Sequence, residues 1–264
     1  MTARPTSPEK APRRHGGRLV HARRDDYGLI EVVDHPDRRC LHFGSPVQQS
    51  CLRRDGPPRP AFDHDRKLLL GAALHPDPRH ILVLGLGGGT VAGHLHRHLP
   101  AARLTAVERR EAVIDVALAW FDLPADERLQ LYSADALLFL RELPGEYDLQ
   151  LVDLFDAEGL DGAAQRLGFF DHCRDQLRPG GLLVMNLWRD ERDAYLATCD
   201  ALETGFGGRV WYLDEQEGNT VAYAFRDAAP TLDAAVRRRA AALGLDGAGL
   251  LRQLRRRNAA RLRG

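Results

Sequence analysis

The run from Ile81 to Gly89, ILVLGLGGG, with Glu108 closing the next apolar run, LTAVE, limits the possible folds of this chain more than any other feature. A short apolar run ending in clustered glycines reads as a buried strand that feeds a tight turn and then a helix. Gly85 permits the turn, Gly87 lets the backbone approach a ligand, and Gly89 lets the following helix pack closely. Glu108 lies 23 residues beyond Gly85, near the spacing at which a carboxylate accepts the hydroxyls of a ribose. A plain strand-to-helix turn would use the same glycines, so the later segments of the chain decide the reading.

Those segments repeat the pattern. LQLY (129–132) and DLQLVD (148–153) read as strands, and LRPGG (177–181) reads as a turn before the strand LLVMNLW (182–188). Helical patterns over 91–98, 111–120, 136–142 and 167–176 separate them, and alternation of this kind predicts a parallel sheet covered by helices on both faces. Ligands bind such sheets at the carboxyl ends of the strands. The glycine loop, Glu108, Asp135 and Asp153 all fall at such ends. After a helical pattern at 191–204, RVWYL (209–213) and TVAYAF (220–225) form a hairpin closed by Glu217, Gly218 and Asn219. A terminal antiparallel hairpin on a parallel sheet is typical of class I folds that bind S-adenosylmethionine-type ligands.

Before the sheet, 27–34 and 38–43 read as two strands joined by His35-Pro36-Asp37, 45–60 as a loop region, and 61–74 as a helix. The expected organisation is a disordered tail at 1–18, a small β-hairpin unit at 19–60, a Rossmann-like α/β domain at 61–230 and an Arg-rich helical tail at 231–264. Charge is balanced at 37 basic against 37 acidic residues, yet it is unevenly spread. Residues 25–230 carry a net −13, which suits a cationic substrate better than a phosphate-rich one, although a solvated acidic surface would look the same. The Arg-rich tail lacks interleaved aromatics, so a solvated or docked helix is expected and no nucleic-acid partner. Cys40, Cys51, Cys173 and Cys199 show no CxxC pairing, so neither a disulfide frame nor a zinc site is expected, and the setting is read as reducing and cytoplasmic. No run reaches 18 apolar residues, and no membrane span is expected.

Together these residues resemble the polyamine aminopropyltransferases, the spermidine synthases and their relatives, from about Tyr27 to Phe225. The resemblance is carried by the β-hairpin unit, Gln49-Ser50, the HPDPR lead-in, LVLGLGGG, Val107-Glu108, Asp135-Ala136, YDLQLVDLFD and LRPGG, of which the YDxxxxDxxD segment is the most specific. It implies a seven-stranded class I sheet behind the β unit, and assembly into dimers or tetramers. It implies transfer of an aminopropyl group from decarboxylated S-adenosylmethionine to a polyamine, with methylthioadenosine released and no metal. Glu108 would hold the ribose, Asp135 and Ala136 would receive the adenine, and Gln49 would reach the nucleoside. Asp153 matches the general base, while Asp156 and His64 match positions along the polyamine channel.

Three departures fall in the amine half, one of them Leu160 where the family has a Pro after the Asp153–Asp156 segment. The family acid after the third loop glycine is Gly88 here, and Asp63 stands where the family has Tyr; Asp63 is the candidate to replace the missing charge. An enzyme using S-adenosylmethionine itself, or a catalytically weak nucleoside-binding or regulatory protein, are the alternatives. His94 and His98 share a helix face, but no third ligand is evident, and a solvated face is the favoured reading.

Overall fold

Uninterrupted apolar runs in the middle of the chain form the centre of a sheet buried on both faces, as parallel strands require. The structure is a computed structural model, and it describes residues 12–143, 145–156, 159–160, 168–214 and 218–258. The chain opens with strands β1 (Arg13–Arg14), β2 (Gly17–Asp25), β3 (Gly28–Asp34), β4 (Arg38–His42), β5 (Gln48–Arg53) and β6 (Arg59–Pro60), followed by α1 (Asp63–Leu74). The α/β portion runs β7 (His80–Leu84), α2 (Thr90–His98), β8 (Arg103–Glu108), α3 (Glu111–Trp120), β9 (Leu129–Ser133), α4 (Ala136–Glu142) and β10 (Tyr147–Val152). It continues through β11 (Phe155–Asp156), β12 (Gly159–Leu160), α5 (Phe169–Asp175), β13 (Leu177–Trp188), α6 (Arg192–Gly205), β14 (Val210–Asp214) and β15 (Asn219–Phe225). Helices α7 (Ala234–Ala242) and α8 (Gly247–Arg257) end the described chain.

The large sheet has seven strands in the order β14-β15-β13-β10-β7-β8-β9. Pairing is parallel from β13 to β9, and only β15 runs against its neighbours. The chain leaves β7 toward β8 on one side and later returns to β10 on the other. The strand order therefore reverses between β7 and β10, and a crevice opens at that point. Two apolar clusters fill the two faces of the sheet.

The N-terminal strands form their own six-stranded antiparallel sheet. Ile30, Val32, Leu41 and Leu52 from this sheet pack on Ala112, Val113, Val116 and Phe121 of α3 and the residue after it. Two ion pairs fasten the same junction: Arg110 to Asp25, and Arg23 to Asp115.

Several local expectations change. The region 45–60 contains β5 and β6, and β1 and the first two residues of β2 lie within the stretch read as a disordered tail; of that tail, 1–11 is outside the described residues. Polar residues dominate these strands because the sheet meets solvent on one face, so they lack the apolar runs that mark the central strands. LRPGG is the start of β13, where the pairing with β10 shifts register between Tyr147 and Leu149. Cys40 and Cys51 are joined by a disulfide, contrary to the expectation of unpaired thiols. They are direct cross-strand partners in β4 and β5, a relation set by register and invisible in CxxC-type spacing.

The Arg-rich tail is docked. Leu232, Val236, Ala240, Leu243, Leu245, Leu250, Leu251 and Leu254 belong to the main core, and Arg239 donates to the Ala73 carbonyl of α1. Its arginines at 237, 238, 252 and 255–257 face solvent. Among the described residues no helix is long and apolar enough to cross a membrane.

Burial of large apolar side chains contributes about 1.5–3 kcal/mol each, and whole domains are stable by roughly 5–15 kcal/mol. Deletion of 231–264 is therefore expected to abolish the cooperative thermal transition. A truncated chain that melts like the full chain would show the tail to be an accessory.

Candidate active site

The crevice at the β7/β10 reversal is the site. Gly85 follows β7 in a left-handed conformation with φ 88°. A Cβ at Gly85 would lie 2.1 Å from the carbonyl oxygen of Asp153, so no other residue fits there. The close approach is held by Asp153 N donating to Leu84 O at 2.8 Å and Gly85 N donating to Val107 O at 2.9 Å. It brings the ends of β7, β8 and β10 together. Gly87, with φ 52°, lines the cleft, and a Cβ there would be in ordinary contact with Ser50 at 3.5 Å. Gly89, with φ 68°, caps α2, and a Cβ there would strike Leu123 at 2.7 Å.

Glu108 ends β8 and faces the cleft. Its Oε2 accepts from Leu86 N at 3.2 Å and Gly87 N at 3.4 Å, and its Oε1 accepts from Arg110 N at 3.0 Å. Burial pushes its carboxyl above the usual carboxylate range, and these three amides oppose the rise without cancelling it. Above Glu108, Arg110 clamps Asp25 with two hydrogen bonds of 3.0 and 2.8 Å. The Arg109 guanidinium lies 4.8 Å over the Tyr27 ring. The β2–β3 tip is thus fastened over the Glu108 end of the cleft.

Asp135 caps α4 by accepting from Leu137 N and Leu138 N at 3.0 Å. The residues on either side of it, Ala134 and Ala136, line the cleft. Gln49 lines it from β5 with Gln48 and Ser50, and the Ser50 hydroxyl lies 3.3 Å from that of Thr90 at the start of α2.

At the opposite end stands Asp153, directly after β10. Its Oδ1 accepts from Asn186 Nδ2 at 2.9 Å, and Asn186 Oδ1 accepts from Asn219 Nδ2 at 3.0 Å. Asn219 in turn lies 3.5 Å from His64 Nδ1. His64, Asp65 and Asp153 offer ligand atoms within 4.8 Å of one another, a group able to surround a small cation. Trp188, two residues beyond Asn186 on the same strand face, lines the outer part.

Asp63 is turned to another task. Its carboxylate pairs with Lys67 one helical turn on and with Arg66, and it does not line the cleft. Burial works to raise the Asp63 carboxyl, but the hydrogen bonds from Lys67 and Arg66 outweigh it and hold the group below its ordinary value. The side chain of Asp156 lies outside the described residues. Asp65, Asn186, Asn219 and Trp188 were missed in the sequence. An Asn inside the apolar run LLVMNLW, two residues from the carboxyl end of a strand, was the available signal for Asn186.

His94 and His98 stack at 4.0 Å and are each committed to a carbonyl, His94 to Leu243 O and His98 to His94 O. Burial pushes His94 down to about 4, so it is a neutral pin between α2 and the docked tail.

Gly88 is enclosed. A Cβ there would meet Phe121 and the Ser50 hydroxyl, both at 3.0 Å, and Phe121 is locked in the inter-sheet core. Gly88→Asp is expected to cost about 1–3 kcal/mol through overpacking, read as a Tm lower by several degrees in calorimetry. An unchanged Tm would mean that Phe121 and Ser50 yield without cost.

The spermine/spermidine synthase domain family model matches residues 68–189. A polyamine aminopropyltransferase of Chromobacterium violaceum is 34% identical over 199 residues, covering 75% of this chain and 76% of the relative. Among solved structures, a probable spermidine synthase from Corynebacterium glutamicum superposes with a TM-score of 0.70 at 22% identity, over 84% of this chain and 86% of that one. A spermidine synthase in complex with the transition state analogue AdoDATO gives a TM-score of 0.66 at 18% identity, over 81% of this chain and 75% of that one. The class I α/β fold of this chain is the fold of these structures. The chain belongs to the polyamine aminopropyltransferase family, the family of the spermidine and spermine synthases.

Proposed function

We propose that this cleft transfers an aminopropyl group from decarboxylated S-adenosylmethionine to a polyamine, with Asp153 as the base. The observation that carries the proposal is the Asp153 carboxylate. One oxygen is fixed by Asn186, and the residue stands beside Gly85 in the same cleft that Glu108 lines from β8. Family membership supports the reaction class, and the AdoDATO complex of a structural relative supports an adenosyl donor.

Glu108 would accept the ribose hydroxyls. Ala134 and Ala136, with no side chain beyond Cβ, would leave a flat wall for the adenine, while Asp135 holds α4 in place beneath it. Gln49 would reach the nucleoside from β5. The acceptor amine would enter past Trp188 and Asn219, meet His64, and lose a proton to Asp153. Its lone pair forms a bond to the propyl carbon next to the sulfonium as the carbon–sulfur bond breaks. That electron pair goes to sulfur, and neutral methylthioadenosine leaves. Asn186 is a positioning residue, because its amide holds the carboxylate facing the amine. Cytoplasmic placement and a homodimer or tetramer belong to the same proposal.

Asp153→Asn is expected to lower kcat about 10²–10⁴-fold, the usual contribution of a positioned base, while methylthioadenosine affinity stays within a few-fold of wild type. Unchanged turnover in a coupled assay for methylthioadenosine release would sink the assignment of the base. A second outcome concerns Glu108. Ribose hydroxyls donate to its ionised form, so nucleoside affinity should fall as pH drops through its raised pKa. Calorimetry in buffers of different ionisation enthalpy should show proton release on binding in that window. Affinity independent of pH between about 4 and 7 would exclude Glu108 as the ribose acceptor.

A further inference from the structure

We infer that Asp65 is the second carboxylate of the transfer site, and that it binds the ammonium group on the donor's aminopropyl arm and so selects the decarboxylated donor. The inference rests on the aminopropyl-transfer reading and adds to it the residue that chooses the donor.

Charge requires such a group. The donor carries a sulfonium and a terminal ammonium, and the acceptor brings further ammonium groups. Among the described residues, the acids lining the cleft are Asp65, Glu108 and Asp153. Glu108 is engaged by three backbone amides at the nucleoside end. Asp153 is neutralised when it takes the proton. Gly88 offers no charge, and Phe121 and Ser50 crowd the space beside it. Asp63 spends its charge on Lys67 and Arg66 outside the cleft. Asp65 lines the cleft with a ligand atom within 4.8 Å of those of His64 and Asp153, and this placement, beside the reacting groups, is what puts it in reach of a positive group.

Its geometry fits that task. Asp65 is in the first turn of α1, and its Oδ2 accepts from Phe62 N at 3.3 Å, which fixes the carboxylate. Its Oδ1 lies 3.8 Å from His64 Nε2, and its ligand atom is within 4.8 Å of those of His64 and Asp153. Depth assigns the partner. Asp65 is 4% exposed and Trp188 is 37% exposed. With the acceptor entering past Trp188, as in the proposed reaction, the deeper carboxylate would meet the arm of the donor already bound. In S-adenosylmethionine the carbon bearing that ammonium also bears a carboxylate. Two carboxylates a few ångströms apart in a poorly solvated pocket repel, so a charge at Asp65 admits the decarboxylated donor and disfavours the carboxylated one.

The experiment is calorimetry of methylthioadenosine, decarboxylated S-adenosylmethionine and S-adenosylmethionine on wild type, Asp65→Asn and Asp65→Glu. Both methionine-derived ligands carry the sulfonium, so their ratio isolates the arm, and methylthioadenosine has no arm. Asn retains an oxygen for Phe62 N–H, which keeps the helix start intact. Asp65→Asn is expected to bind methylthioadenosine like wild type and the decarboxylated donor at least about tenfold more weakly, the scale of a charge-assisted hydrogen bond. It should also lose the preference over S-adenosylmethionine, and Asp65→Glu should keep most of that preference. Equal weakening of all three ligands would assign Asp65 to the helix start alone and overturn the inference. Unchanged donor affinity with a raised KM for the amine would overturn it as well. Wild-type protein that binds none of the three would instead remove the aminopropyl-transfer reading, and this inference with it.

Discussion

The structure depends on the close approach of two backbones, Gly85 at the end of β7 and Asp153 at the end of β10. Only a glycine permits it, since any Cβ would sit 2.1 Å from the Asp153 carbonyl. The contact sets how far β10 extends past β7 before the chain turns away. The Asp153 side chain is consequently delivered into the cleft beside the glycine loop, and Glu108 is delivered from β8 on the other side. The spacing of the two acids, Glu108 and Asp153, is a property of strand register and not of any flexible loop. A register slip would move side chains to the opposite face, and the site would be lost with no change in composition.

The carboxylates near the cleft are sorted by their partners. Glu108 has three amides and a raised carboxyl pKa, a group poised to be ionised by hydroxyl donors. Asp135 caps a helix. Asp63 is bound to a lysine that is 2% exposed and to an arginine. Asp153 has one oxygen on Asn186. The net charge of −13 over residues 25–230 says only that cations are favoured. These local partners decide where in the cleft a cation can rest.

Much of this was legible in the chain, and the failures have identifiable causes. The central parallel strands announce themselves because both faces are buried and their sequences are mostly apolar, as in HILVL and the LLVM of β13. β5 does not, since QQSCLR has a half-exposed pattern that resembles a loop. The competition between Asp63 and Asp65 was open to a helical argument. Helix positions two apart, as Asp63 and Asp65 are, point about 200° apart, and Lys67 stands at i+4 from Asp63, the spacing of an intrahelical ion pair. That pair removes Asp63 from the cleft face and leaves Asp65 there. Asn219 was read as a turn residue, and nothing local could reveal that β15 pairs with β13 in a register that sets it opposite Trp188. Cys40 and Cys51 likewise become neighbours only through the β4–β5 register.

That cross-link bears on how the site binds. Cys51 is two residues beyond Gln49, and the disulfide ties β5 to β4 at this point. Ser50, between them, reaches Thr90 on α2, and Leu52 is anchored against α3 in the inter-sheet core. The strand bearing Gln49 is therefore held on three sides, by a covalent bond, a hydrogen bond and apolar packing. With Arg110 gripping the β2–β3 tip, the N-terminal sheet forms a braced wall of the cleft. A wall set before the ligand arrives lowers the ordering cost of binding. The same packing bears on Gly88: where Phe121 and Ser50 already stand, a side chain at that position would meet both at 3.0 Å and strain the wall.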